Sequence, residues 1–160
     1  MKLKRSAHRF FLNVKGDSPE WYWVGKDIED LSVEMNGTFE TRTNIMDETS
    51  VSDEGYAPSV SATPYYADPE DAIYSFLEDI ALNRKSGDDC KAECLEVIVK
   101  DTESATHKAW KEDCKIEIVS YGGPTDGYQI EFNVHPSGNR VEGTAKIENK
   151  VPTFTAGTEL

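Results

Sequence analysis

Apolar positions recur with a period of two along most of this chain, the spacing of half-buried strands. "HRFFLNVK" (8–15) is apolar and strand-like, and "EWYWVGK" (20–26) is dense in aromatic residues that suit a pleated surface. "IEDLSVEMN" (28–36) places Leu31, Val33 and Met35 on one face. Asn36-Gly37 is a strong short hairpin signal, so "TFETRTNIMD" (38–47) reads as the return strand. "PSVSATPYYA" (58–67) alternates small and polar residues, and Pro58 and Pro64 mark it as an edge or interrupted strand. In the second half, 90–101, 106–122, 126–136 and 139–150 all alternate; Ile130, Phe132 and Val134, for example, oppose Glu131, Asn133 and His135. Turn chemistry punctuates the chain at "GDSP" (16–19), at Gly122-Gly123-Pro124 and at Pro136-Ser137-Gly138. Residues 151–160 read as a short strand or a free tail.

One segment breaks the period. Asp68 suits a helix N-cap, Pro69 the first helical position, and Glu70 and Asp71 the positive end of the helix dipole. Ala72, Ile73, Phe76, Leu77, Ile80 and Ala81 then form one apolar stripe at helical spacing. Arg84 and Lys85 close it, and Gly87 is a stop. The spacing predicts a helix over about 69–85 that lays Ile73, Phe76, Leu77 and Ile80 on a sheet. Roughly eight strands with one mid-chain helix predict a mostly β fold, an antiparallel sandwich or barrel with a flanking helix. The stretch 47–57 reads as a loop, and a long one. It carries Asp47, Glu48, Asp53 and Glu54 with no basic residue. Loops of that length are usually functional or disordered.

Composition narrows the function. The 160 residues are most simply one domain, with 38% hydrophobic and 29% charged residues. No apolar run is long enough to cross a bilayer, and the basic start "MKLKRSAHRFF" lacks the apolar stretch of a signal peptide, which predicts a protein made and kept in the cytoplasm. The formal net charge is −13. Residues 1–26 hold six basic and two acidic residues, whereas 27–71 hold twelve acidic residues and only Arg42. So acidic a chain is a poor binder of nucleic acid by phosphate neutralisation. Its acidity serves solubility or attraction between the basic arm and acidic middle of neighbouring copies.

Candidate chemistry is sparse. His8, His107 and His135 stand alone in separate strands, and no HExxH, GxSxG, P-loop or GxGxxG motif is present. Cys90 and Cys94, read on one strand, would lie about 13 Å apart, too far to share a zinc whose Zn–S bonds are about 2.3 Å. We expect no catalytic residues, no metal and no cofactor. "WYW" places Trp21 and Trp23 on one strand face and Tyr22 on the other. Such aromatics pack cores, anchor interfaces or form the platform of a carbohydrate-binding β-sandwich.

The run from "WVGKDIEDLSVEMNG" through "NIMDETSVSDEGYAPS" to "DPEDAIYSFLEDIALNRKSGDD" resembles the major tail tube protein of long-tailed bacteriophages and prophages. The likeness covers roughly residues 20–100. It implies one tail-tube-like domain over 1–160, with an N-terminal arm (about 1–7), the 47–57 loop and a C-terminal tail (about 151–160). It implies a structural virion protein, not an enzyme, made in the bacterial cytoplasm and located in the phage tail. Subunits would form hexameric rings whose inner strands join into a β-lined channel, and stacked rings would carry DNA into the host without binding it specifically. Partners would be other copies and the tape measure, tail tip and terminator proteins, with no membrane. The fold also serves contractile tails and the type VI secretion tube. Contacts between subunits or rings are expected at Asp47, Glu48, Asp53, Glu54 and Tyr56 of the loop. The basic Lys2, Lys4, Arg5 and Arg9 of a neighbour would meet them, and strands 38–47 and 58–67 would offer free edges.

Overall fold

The computed structural model describes residues 2–15, 20–26 and 28–157; the predicted turn at 16–19 and the last three residues of the tail lie outside the described residues. Among these residues ten strands run in chain order: β1 (His8–Asn13), β2 (Trp21–Trp23), β3 (Ile28–Glu34), β4 (Phe39–Thr43), β5 (Thr49–Asp53), β6 (Ser59–Tyr66), β7 (Lys91–Ile98), β8 (His107–Gly122), β9 (Gln129–Glu148) and β10 (Val151–Ala156). Among the described residues one α-helix, α1 (Tyr74–Asn83), lies between β6 and β7, and short 3-10 turns occupy Arg5–Ala7 and Gly87–Cys90. The main sheet has the order β2-β1-β7-β8-β9-β6-β3, with β10 also paired to β9. Every pairing is antiparallel. The sheet curls into a half-barrel, which is the mostly β architecture with one flanking helix that the sequence predicts.

Register explains the period-two pattern. Leu31, Ala62, Phe132 and Ile118 stand opposite one another across β3, β6, β9 and β8, and so do Val33, Val60, Val134 and Ile116. Between these rows lies Ser32–Ser61–Asn133–Glu117, pointing to the other face. Helix α1 covers the apolar rows: Ile73, Leu77 and Ile80 are buried with Val60, Ile116 and Phe132, and Phe76 packs at the margin. A second core lies on the opposite face of β1 and β7, where Phe11, Leu95, Val97, Ala109 and Ala145 meet Trp21, Trp23 and Phe154, while Phe10, Leu12 and Cys94 of the same strands belong to the first. β9 serves both cores. On one side it pairs with β8 along its length; on the other it pairs with β6 through 129–134 and with β10 through 143–148. Gly143 is required there, because a Cβ would lie 2.2 Å from the Thr155 carbonyl oxygen and 2.9 Å from the Phe154 ring.

Several sequence expectations change. Asn36-Gly37 does not join β3 to β4 as a hairpin; the partner of β3 is β6. The predicted 47–57 loop contains β5, which pairs with β4 as a separate two-stranded ribbon. β6 is an interior strand between β9 and β3, so it offers no free edge, although a register shift between Ala62 and Tyr65 does interrupt it at Pro64. Pro136-Ser137-Gly138 does not separate two strands but bends one, with Gly138 at φ 117 and Asn139 at φ 58 inside β9. Residues 151–156 are paired as β10, and the link from β9 is the two-residue turn Asn149-Lys150, both at positive φ as a type I′ hairpin needs.

The helix starts five residues later than its N-cap signal. Asp68 instead closes a turn: its Oδ1 accepts from the Glu70 amide at 3.0 Å, and the Asp71 amide donates to the Asp68 carbonyl at 3.0 Å. The Tyr65 hydroxyl donates to Asp71 at 2.9 Å and Lys26 donates to Asp68 at 2.8 Å, which fastens the turn to the sheet. Burial and the Asp71 carboxylate push the Tyr65 phenol well above its ordinary range. At the far end Arg84 takes the left-handed conformation, φ 53, and stops the helix before Gly87. Cys90 closes a 3-10 turn and is not on the strand with Cys94; all three thiols are buried.

Leu77→Ala removes a side chain from the closed core and is expected to cost about 2–5 kcal/mol in urea unfolding. Phe39→Ala, on the exposed β4–β5 ribbon, is expected to stay within about 0.5 kcal/mol of the parent. A large loss from Phe39→Ala would mean that the ribbon packs on the body of the subunit.

Candidate assembly surfaces

Residues 35–58 form an arm between β3 and β6. Its base is laced by main-chain bonds from the Ala57 amide to the Met35 carbonyl (3.2 Å), the Thr38 amide to Gly55 (3.1 Å) and the Glu54 amide to Thr38 (2.8 Å). The Asn36 amide nitrogen donates to the Ala57 carbonyl and the Ser59 hydroxyl, both at 3.1 Å. Tyr56 lies over Gly37, where a Cβ would stand 3.1 Å from the ring, so a larger residue would push the tyrosine outward by a few tenths of an ångström. The tip is a five-residue turn: Asn44 Oδ1 accepts from the Met46 and Glu48 amides, and Asp47 sits at φ 61. Cross-strand pairing puts Phe39, Thr41 and Val51 on one face and Glu40, Arg42, Ser50 and Ser52 on the other. Neither face is covered: Phe39, Val51, Met46 and Tyr56 are exposed, and Ile45 is fully so.

The structure places the predicted cations and carboxylates as follows. Asp47 and Glu48 are at the arm's tip, and Asp53 and Glu54 at its base. Lys2 and Lys4 are exposed. Arg5 is engaged within the chain, donating to the His8 carbonyl at 2.8 Å and, across the molecule, to the Leu31 carbonyl on β3 at 2.6 Å. Arg9 donates to the Ser6 carbonyl and lies 4.5 Å from the Trp23 ring centroid. Lys4, Arg5 and Tyr56 come together in one groove of about 900 Å³, also lined by Leu31, Val33 and Met35. An ionic chain forms part of its wall. His8 meets Glu96 at 3.0 Å, and Arg140 bridges Glu96 (3.3 Å) and Glu112 (2.8 Å). Burial raises the Glu96 pKa, but His8 and Arg140 outweigh it and hold the carboxyl below its ordinary value.

Two sheet edges were not foreseen from sequence. β7 pairs with β8 only as far as Lys91 opposite Lys115, so 116–122 has a strand neighbour on the β9 side alone. Beside it runs a groove of about 680 Å³, walled by Ile80, Ala81, Arg84 and Lys85 of the helix end and by 115–121 of β8. The other edge is the outer side of β3. The signal for the first was present: Ile118-Val119-Ser120-Tyr121 carries no charge, and Val119 and Tyr121 are exposed, whereas soluble proteins usually guard a free edge with lysine or proline.

The aromatic triplet divides as its alternation predicts. Trp21 and Trp23 pack on the second core and Tyr22 on the first. All three also line a groove of about 710 Å³, but the Trp23 ring is taken up by Arg9 and by Phe11, 6.1 Å away. His135 lies 3.7 Å from Glu117, and among the described residues no three His, Cys, Asp or Glu side chains gather as a metal site.

This curled antiparallel half-barrel with one flanking helix is similar in fold to two solved tail components. The tail tube of phage SPP1 superimposes with a TM-score of 0.61 at 14% identity over 93% of this chain and 82% of that one. The sheath/tube terminator of the extracellular contractile injection system PVC does so with a TM-score of 0.55 at 8% identity, over 89% and 96%. No family model matches the chain, and no curated protein matches it in sequence. The fold therefore agrees with the resemblance read in the sequence.

The groove's ionic chain sets an acid limit on stability. Because folding lowers the Glu96 pKa, its contribution is complete above the unfolded value and is lost as pH falls through the folded one. Glu96→Gln is expected to lose about 1.5–3 kcal/mol at neutral pH and to flatten the fall in stability below about pH 5, read from urea titrations at several pH values. An unchanged acid slope would remove Glu96 from that role.

Proposed function

We propose that this chain is the structural subunit of a phage tail tube, assembling into hexameric rings that stack into a conduit for DNA. One observation carries the reading. β8, β9, β6 and β3 form a four-stranded segment with a free edge at each end, a helix on one face and an uncovered polar face. Alternation of direction over four strands makes β8 and β3 run oppositely. When the β8 edge of one copy meets the β3 edge of the next, the junction is antiparallel like every other pairing. That contact is heterologous, so it repeats around a closed ring. Six copies contributing four strands each would give a barrel roughly 45 Å across between backbones, wide enough for a DNA duplex.

The polar row suits the inner wall. Ser32, Ser61 and Asn133 are small or neutral, and Glu117 supplies negative charge that keeps a polyanion from adhering. The arm, with apolar groups exposed on a marginal two-stranded ribbon, is the element that would meet neighbouring subunits or rings. Its acidic tip would meet Lys2 and Lys4 of another copy, the two N-terminal cations that make no ion pair or side-chain hydrogen bond among the described residues. Ring closure would exchange the Arg5 bond at Leu31 for a main-chain donor of the neighbour. The setting is the virion tail, with tape measure, tip and terminator proteins as further partners and no enzymatic role.

The test is negative-stain electron microscopy and sedimentation velocity across a concentration series. The parent chain is expected to give rings or tubes of uniform width. A Val119→Lys/Tyr121→Lys variant, which guards the β8 edge, is expected to remain monomeric with unchanged melting temperature. A parent that stays monomeric to its solubility limit in kosmotropic salt would overturn the reading, as would a variant that assembles normally.

A further inference from the structure

The groove beside the β8 edge has a cationic mouth that neither the strand pairing nor the core uses. Arg84 and Lys115 line it, both exposed, and among the described residues neither makes an ion pair. Lys85 shares it while paired to Asp79, and Lys91 lies opposite Lys115 where β7 begins. Arg84 is held there by a left-handed backbone, a conformation that side chains other than glycine and asparagine seldom adopt.

Strand direction determines what would arrive at that mouth. A neighbour's β3 running antiparallel to β8 would have its C-terminal end beside Lys115, where β7 takes over as the partner of β8. That end is Glu34, and the arm leaves from it. At the arm's base stand Asp53 and Glu54, joined to Thr38 by the Glu54 amide and by β4–β5 pairing. Glu34, Asp53 and Glu54 are exposed, and among the described residues none makes an ion pair. Unmatched anions on one surface and unmatched cations on another therefore come into register through the strand junction alone.

We propose that the Arg84/Lys115 mouth of this groove is the seat for the arm base of a second copy, receiving its Glu34, Asp53 and Glu54 carboxylates. The proposal rests on the ring reading and names the side chains that fix the register of its junction. Main-chain pairing along an edge tolerates slippage, and charges at the end of the groove would select one alignment.

Charge reversal on the full chain tests it. Arg84→Glu/Lys115→Glu and Asp53→Lys/Glu54→Lys are each expected to raise the assembly threshold about tenfold or more, since like charges then face each other at every junction. Each should keep the parent's circular dichroism and melting temperature, because the sites are exposed. The two variants mixed in equal amounts are expected to assemble, because an even-membered ring can alternate them so that every mouth meets an arm of opposite charge. If each variant alone assembles like the parent, the contact is absent while the ring reading stands. If neither assembles and mixing does not rescue them, the charges are not partners and the proposal falls. A parent that forms no rings removes the ring reading and this contact together.

Discussion

The architecture depends on one strand doing two jobs. β9 is twenty residues long and carries a core on each of its halves. β6 takes its edge over 129–134, β10 takes the same edge over 143–148, and the bend near Gly138 lets the two halves diverge. Without that division the sheet would have one core and one solvated face throughout. With it, β1 and β7 bury both faces, while the β8-β9-β6-β3 segment has an unpaired edge at each side. The β8 edge exists because β8, also long, outruns β7 at Lys115, and the β3 edge because β3 ends the strand order. Strand length and order, more than any special residue, leave these edges unpaired.

Much of this could be read in the sequence because burial writes a period. Leu31 and Val33, Val60 and Ala62, Ile116 and Ile118, and Ile130 to Val134 alternate because one face of their sheet lies under a helix. The helix itself was legible for the same reason. The arm was not. Thr49–Asp53 is exposed on both faces, and a strand solvated on both sides bears no hydrophobic alternation, so it reads as a loop. Boundaries failed where one local signal serves two purposes. Pro136-Ser137-Gly138 is equally the chemistry of a turn and of a bend within a strand. Asp68-Pro69 is equally a helix start and an Asx turn, and here the Tyr65–Asp71 and Lys26–Asp68 bonds favoured the turn. The free edge at 116–122 left only a faint mark, the uncharged run Ile118–Tyr121, because its extent reflects where another strand ends.

The phrases behind the tail-tube resemblance acquire physical meaning in the fold. "NIMDET" is the arm's tip, where Asn44 takes two amides and Asp47 takes a left-handed backbone. "DPED" is the turn that fixes the helix to the sheet. Both are turn chemistries with narrow side-chain requirements. The strands, by contrast, need only alternate.

Arg5 deserves a different description from the other N-terminal cations. Its guanidinium donates to a carbonyl on the outermost strand, the position from which an unprotected sheet recruits foreign strands. Proline or a buried bulge protects an edge permanently, and in doing so forbids any later use of it. A side chain on a short 3-10 turn protects it reversibly. Arg5 thus occupies one acceptor on the outer side of β3 with a side chain and no strand, so the edge is covered at a point and stays geometrically intact along its length.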